Sequence, residues 1–376
     1  MKTRTPLVLL AAAVTAVIAL SWINHQRRET APAPVVAPRV AGGDDDDARG
    51  PIRPARRPLT GVPAGSVPTN NLTPWQLTLA RLQSGQTPDL PREKVEDYVE
   101  RCKRDATSLL AAYRLTRDKS YLTEAAQSHP NDPRIQIAML GDASLPADQR
   151  AQWRERLKQS APDNALGNYL SAADLFKAKQ PERALQELAA AAGKARFDDY
   201  ATADIQATEE MLLLAGRSPV EAKGTAFAGT LLPHLQSLTA VSKEMAAVQK
   251  DHLARGDTAS AEALANLGLT IARQINSGPS RGILIEQLVA MAFEKRVLEP
   301  LDQNRSYEFL RQTPAERLAI LQSQRDEIRS LTQKMDAFDP ASGLTEPELL
   351  VYFERMKNSG ELEALRWLNA HRTNAP

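Results

Sequence analysis

Residues 163–191 read DNALGNYLSAADLFKAKQPERALQELAAA, and their spacing decides the fold class. Tyr169, Leu170, Ala172, Ala173 and Leu175 recur at helical intervals, a polar turn follows at Lys179, Gln180 and Pro181, and Ala184, Leu188 and Ala191 resume the period. Small residues at Ala172 and Ala184 let two helices approach closely, with Leu175 and Leu188 filling the space between them. The stretch predicts two antiparallel helices joined by a short turn.

The same grammar extends outward. Thr73-Pro74-Trp75-Gln76, Ser218-Pro219-Val220-Glu221 and Thr313-Pro314-Ala315-Glu316 each place a capping oxygen first, proline at the first helical position and Glu or Gln at the third. Thr345-Glu346-Pro347-Glu348 is a close variant. Apolar residues then recur at three and four, as in Leu318, Leu321, Ile328, Leu331 and Met335. No stretch alternates with period two between hairpin turns, so the expectation is an all-α fold of antiparallel helix hairpins. His129-Pro130-Asn131-Asp132 recurs 32 residues later as Ala161-Pro162-Asp163-Asn164, which suggests an internal repeat.

On these residues the 163–191 unit resembles a tetratricopeptide repeat. Two further turns fit: Ala254-Arg255-Gly256-Asp257, followed by Ala261, Leu264 and Ala265, and Asn358-Ser359-Gly360-Glu361, followed by Leu362, Leu365 and Leu368. The family's aromatic residue in the first helix is missing from most units, and residues 278–339 break the phase. The resemblance covers residues 100–195, with generic helix pairs elsewhere, so the hairpins stack either as a tetratricopeptide-like solenoid or as an irregular helical array. It implies a scaffold that holds a protein or peptide partner in a concave groove. The polar first-helix residues Asn168, Ser171 and Asp174 are its partner-binding candidates.

Two other segments precede this domain. Residues 7–23, opening on Leu7 and closing on Ile23, form an apolar run after Lys2 and Arg4 and before Arg27 and Arg28. Seventeen residues at about 1.5 Å each reach roughly 25 Å, which suits a signal anchor or a cleaved signal peptide. Residues 29–71 contain eight prolines and no aromatic side chain, a composition that predicts a disordered linker. The resulting layout is 1–28 as signal anchor or signal peptide, 29–71 as linker and 72–376 as helical domain, with a possible internal boundary near 277–282. A single-pass inner-membrane protein with its helical domain outside the cytoplasm is expected; the alternative is a cleaved, soluble periplasmic form.

Charge and chemistry narrow the function. The 47 basic and 46 acidic residues nearly cancel, and the basic excess sits in the first 71 residues, so no nucleic-acid partner is expected. One cysteine excludes an intrachain disulfide and a multi-cysteine zinc site. No P-loop, dinucleotide fingerprint, nucleophile elbow or metalloprotease helix occurs, and no cofactor or metal is expected. His129 and His234 adjoin prolines, and His252 stands alone in a helix. Cys102 lies in a helical run over residues 95–113 and reads as a packed thiol. Phe197-Asp198-Asp199-Tyr200 is the densest acidic and aromatic cluster, and adjacent carboxylates of this kind read as helix caps. The leading expectation is a membrane-tethered scaffold in the cell envelope rather than an enzyme. An alternative is an envelope chaperone, since membrane-anchored lipase foldases have a similar layout and residues 196–200 resemble their Arg-x-x-Phe-Asp-Tyr signature, with the arginine too close and an extra aspartate. A second alternative is a helical enzyme of another type.

Overall fold

Capping side chains at Asp105, Asp118, Asp132, Ser218 and Asp257 set where five of the helices begin. The structure, a computed structural model, describes residues 90–142, 144–230, 232–278, 282–337 and 345–373. The apolar run, the linker and the Thr73 cap lie outside the described residues. Fifteen helices run through the rest. The first five are α1 (Arg92–Arg101), α2 (Ala106–Thr116), α3 (Lys119–Ser128), α4 (Pro133–Gly141) and α5 (Ala147–Ser160). Then follow α6 (Leu166–Lys177), α7 (Pro181–Ala192), α8 (Ala201–Leu214), α9 (Pro219–Ala228) and α10 (Pro233–Ala254). The last five are α11 (Thr258–Ser277), α12 (Leu284–Leu298), α13 (Pro314–Ala337), α14 (Glu346–Ser359) and α15 (Glu361–Thr373).

The sequence-read caps are formed. Ser218 Oγ accepts from the Glu221 N–H at 3.3 Å at the start of α9. At α13, Thr313 Oγ1 accepts from the Glu316 N–H at 3.2 Å while the Glu316 carboxylate accepts from the Thr313 N–H at 2.8 Å. The Glu348 carboxylate takes the Thr345 N–H at 2.7 Å in the same way. One reading differs. Residues 95–113 are not a single helix, because Lys103 and Arg104 adopt left-handed φ angles of 54° and 53° between α1 and α2. Asp105 restarts the chain by accepting the Ser108 N–H at 2.7 Å, and the Arg104 guanidinium is drawn onto Glu96, Glu100 and Glu124.

The hairpin at residues 163–191 forms as α6 and α7, with Tyr169, Ala172, Ala184, Leu188 and Ala191 all fully buried. Lys179 takes a left-handed φ of 59° in its turn. Gly256 does the same between α10 and α11 at 77°, where Asp257 caps α11 through the Ser260 N–H. These two hairpins pack on each other, α6 against α10 and α7 against α11, while α12 covers α10 and α11. Together they bury one apolar cluster that runs from Ala165 to Tyr307.

The intervening pair, α8 and α9, leaves that stack. α8 packs back on α1 and α2, and Ala207, Met211 and Leu212 enter a second cluster with Val95, Leu109, Leu110 and Ile135. α9 packs against α14, and a third cluster joins Leu284 and Leu288 of α12 to Ile328, Tyr352, Met356 and Leu365. Among the described residues there is no strand beyond two isolated bridges, Asn164 with Arg196 and Tyr307 with Gln312. No helix among them is long and apolar enough to cross a membrane.

Candidate functional site

The displaced pair builds a cleft. On α8, Thr202, Ile205, Gln206 and Glu209 fall at helical intervals on one face and form a wall. Lys223 and Phe227 of α9, Asn276 of α11, Gln287 of α12 and the last turn of α14 close a space of about 640 Å³. That volume lies inside the range of roughly 300–1,000 Å³ usual for ligand sites.

Local chemistry explains each wall. Gly360 ends α14 with a φ of 90°, and a Cβ there would stand 3.1 Å from the Cα of Gly282, so two backbones meet with nothing between them. The contact is tied by the Glu361 N–H donating to the Gly282 carbonyl at 2.6 Å. The Glu361 carboxylate then accepts from the Leu284 N–H at 2.8 Å, so a residue 77 positions away satisfies the first turn of α12. On the opposite side, the Lys223 ammonium lies 2.7 Å from both Glu209 of α8 and Glu354 of α14. Burial works against the ammonium, but the two carboxylates outweigh it and raise its pKa. Lys223 is therefore held charged, a clamp between helices rather than a free amine nucleophile.

The lining divides into two chemistries. Ile205, Phe227, Ile283, Phe353 and Met356 supply an apolar surface, and Phe227, Phe353 and Met356 continue into the third cluster. Gln206, Asn276, Gln287 and Asn358 supply primary amides, each able to donate and accept.

The residues singled out from the sequence stand elsewhere. Asn168 and Ser171 are buried; the Asn168 amide donates to Glu187 of α7 at 2.7 Å. Asp174 pairs with Arg154 of α5 and lies 3.6 Å from Lys177. None of the three lines the cleft. His234 is buried with its Nε2 3.0 Å from Asp199, His252 bonds Asp257 at 2.8 Å, and His129 Nε2 is 3.1 Å from the Arg104 carbonyl. Residues 197–200 do cap: Asp198 accepts from the Tyr200 N–H at 2.8 Å and Asp199 from the Ala201 N–H at 3.1 Å. Asn164 fastens this segment to the start of α6, donating to the Asp198 carbonyl at 2.6 Å and accepting its N–H at 3.1 Å. Cys102 packs beside the second cluster, and burial raises its thiol pKa.

Sequence reasoning missed the cleft, although the turn at 358–361 is one of its walls. No family model, curated protein or solved structure matches this chain.

Proposed function

We propose that the protein is a helical scaffold that binds a peptide segment of a protein partner in this cleft. The observation that carries the reading is the lining itself, four primary amides together with an apolar surface. A carboxamide presents the same donor and acceptor as a peptide bond, so this lining suits a main chain whose apolar side chains meet the apolar residues. The α6–α7 and α10–α11 hairpins, with buried small residues at their contacts, support the tetratricopeptide-like resemblance and its scaffold role. With residues 7–23 as an anchor and 29–71 as a tether, the scaffold works at the outer side of the inner membrane.

Two experiments test this. Photocrosslinking from Gln206→benzoylphenylalanine in the protein's own cells should capture one protein partner, whereas Ile320→benzoylphenylalanine, at an exposed position of α13, should not. Equal capture from both positions would defeat the cleft as binding site. For location, alkaline phosphatase fused after Asn71 should be active in a bacterial host, and an inactive fusion would overturn the envelope assignment.

A further inference from the structure

Between α12 and α13 the chain makes an exposed turn that reads Asp302-Gln303-Asn304-Arg305-Ser306. Both of its ends are anchored. Leu301 and Tyr307 are buried on either side, and the Tyr307 hydroxyl accepts from the Asp302 N–H at 3.2 Å, which closes the loop between them. Most of its side chains have a visible role in the fold. Asp302 accepts from the Asn304 N–H at 3.0 Å, and the Gln303 amide donates to the Leu298, Glu299 and Leu301 carbonyls and so covers the end of α12. Arg305 pairs with Glu262 of α11 at 2.7 Å and lies over the Tyr307 ring, 4.8 Å from its centroid.

Asn304 and Ser306 have no such role. Both are exposed, and among the described residues nothing bonds the Asn304 carboxamide or the Ser306 hydroxyl. The backbone does not require asparagine either, because Asn304 is not one of the residues with a positive φ, the conformation in which asparagine is enriched. The turn thus holds two side chains that folding leaves unused. They are the two that define an Asn-x-Ser triad whose middle residue is not proline, the acceptor pattern for N-linked sugar on a surface loop.

One other asparagine opens such a triad, Asn71 with Leu72 and Thr73. What precedes the two differs. Asp302 sets an exposed carboxylate two residues before Asn304, a charged grip for an arginine or lysine of an enzyme, whereas Thr69 stands in that place before Asn71.

We propose that Asn304 is the acceptor of an N-linked glycan, added by an envelope oligosaccharyltransferase that reads Asp302, Asn304 and Ser306. The donor is an oligosaccharide carried on a polyprenyl pyrophosphate. A bond forms between its anomeric carbon and Asn304 Nδ2 as the bond from that carbon to the pyrophosphate oxygen breaks. The carboxamide gives up one proton, and the lipid pyrophosphate leaves with the bonding electron pair. The inference goes beyond peptide binding and rests only on the envelope placement above, since such donors present their sugar on the outer side of the membrane. The glycan leaves the cleft open. Ile283 and Gln287 line the cleft at the start of α12, Asn304 follows its end, and a helix of 15 residues at about 1.5 Å each sets them roughly 20 Å apart.

The test purifies the full-length chain from its own cells and reads the mass of the tryptic peptide 297–305, which contains Asn304. In the wild type this peptide should carry the added mass of a glycan. Asn304→Gln and Ser306→Ala should abolish it, and Ser306→Thr should keep it. Asp302→Asn, which retains an acceptor for the Asn304 N–H but removes the charge, should abolish it as well. A bare wild-type peptide, in cells where alkaline phosphatase fused after Asn71 is active, would overturn the glycan and leave the envelope placement standing. An inactive fusion would overturn both. A glycan on Asn71 with Asn304 bare would also overturn the assignment, because a transferase would then be present that passes the turn by.

Discussion

Gly268 sits where α11 meets α12, and a Cβ there would lie 2.5 Å from Cγ1 of Val297, a fully buried side chain. Gly268→Ala should therefore destabilise the fold by about 1–3 kcal/mol through overpacking, measured by urea unfolding. Val297→Ala costs stability alone but opens room for the new methyl. The double variant should be more stable than the sum of the two losses, and strict additivity would show that the helices do not meet there. A second residue-scale prediction concerns Asp204, whose carboxyl is pushed up to about 6 by burial, with Arg114 opposing at 2.5 Å. A folded pKa above the unfolded value near 4 means the folded state holds the proton more tightly. The stability contributed is full below pH 4 and is lost as pH rises through 6. Relative to Asp204→Asn, the wild type should lose up to about 3 kcal/mol between pH 4 and pH 7, and a pH-independent difference would refute the assignment.

The start of α12 depends on a distant element. Its N-cap residue, Ile283, has no side-chain acceptor, and the buried Leu284 N–H is taken instead by Glu361 of α15. Glu361→Ala should cost about 1–3 kcal/mol by leaving that donor unpaired, and Glu361→Gln should cost less because an acceptor oxygen remains. Amide exchange in the first turn of α12 should quicken more in the alanine variant; unchanged exchange there would count against the cap. Such contrasts mark what the sequence can reveal. The Ser218, Thr313 and Thr345 caps and the turns at Gly256 and Gly360 were readable because cap and turn chemistry lies within four residues. The break at Lys103 and Arg104 was hidden, since both residues have ordinary helix propensity and a carboxylate cluster from α1 and α3 holds Arg104 in place. The cleft was hidden for a larger reason. Its walls come from five helices between Thr202 and Gly360, and no local period records that α8 also packs back on α1 and α2.

In a simple stack of repeats each unit touches only the next, and stability divides into local terms. Here the order of contacts skips: α6–α7 packs on α10–α11, while α8 returns to α1 and α2 and α9 crosses to α14. One wall of the cleft is thus held by a cluster built mainly from the first four helices. Leu110 of α2 is fully buried in that cluster, which Ala207, Met211 and Leu212 of α8 also enter, so Leu110→Ala should cost about 2–5 kcal/mol. The loss should appear by native-state hydrogen exchange as an equal drop in protection in α2 and in α8, although α3 to α7 separate them in sequence. The same variant should weaken photocapture at Gln206, because the wall that carries Gln206 loses its support. If protection falls in α1 to α4 while α8 keeps its own, the N-terminal helices are an independent unit. In that case α8 is held in the cleft wall by its packing on α9 rather than by the N-terminal helices.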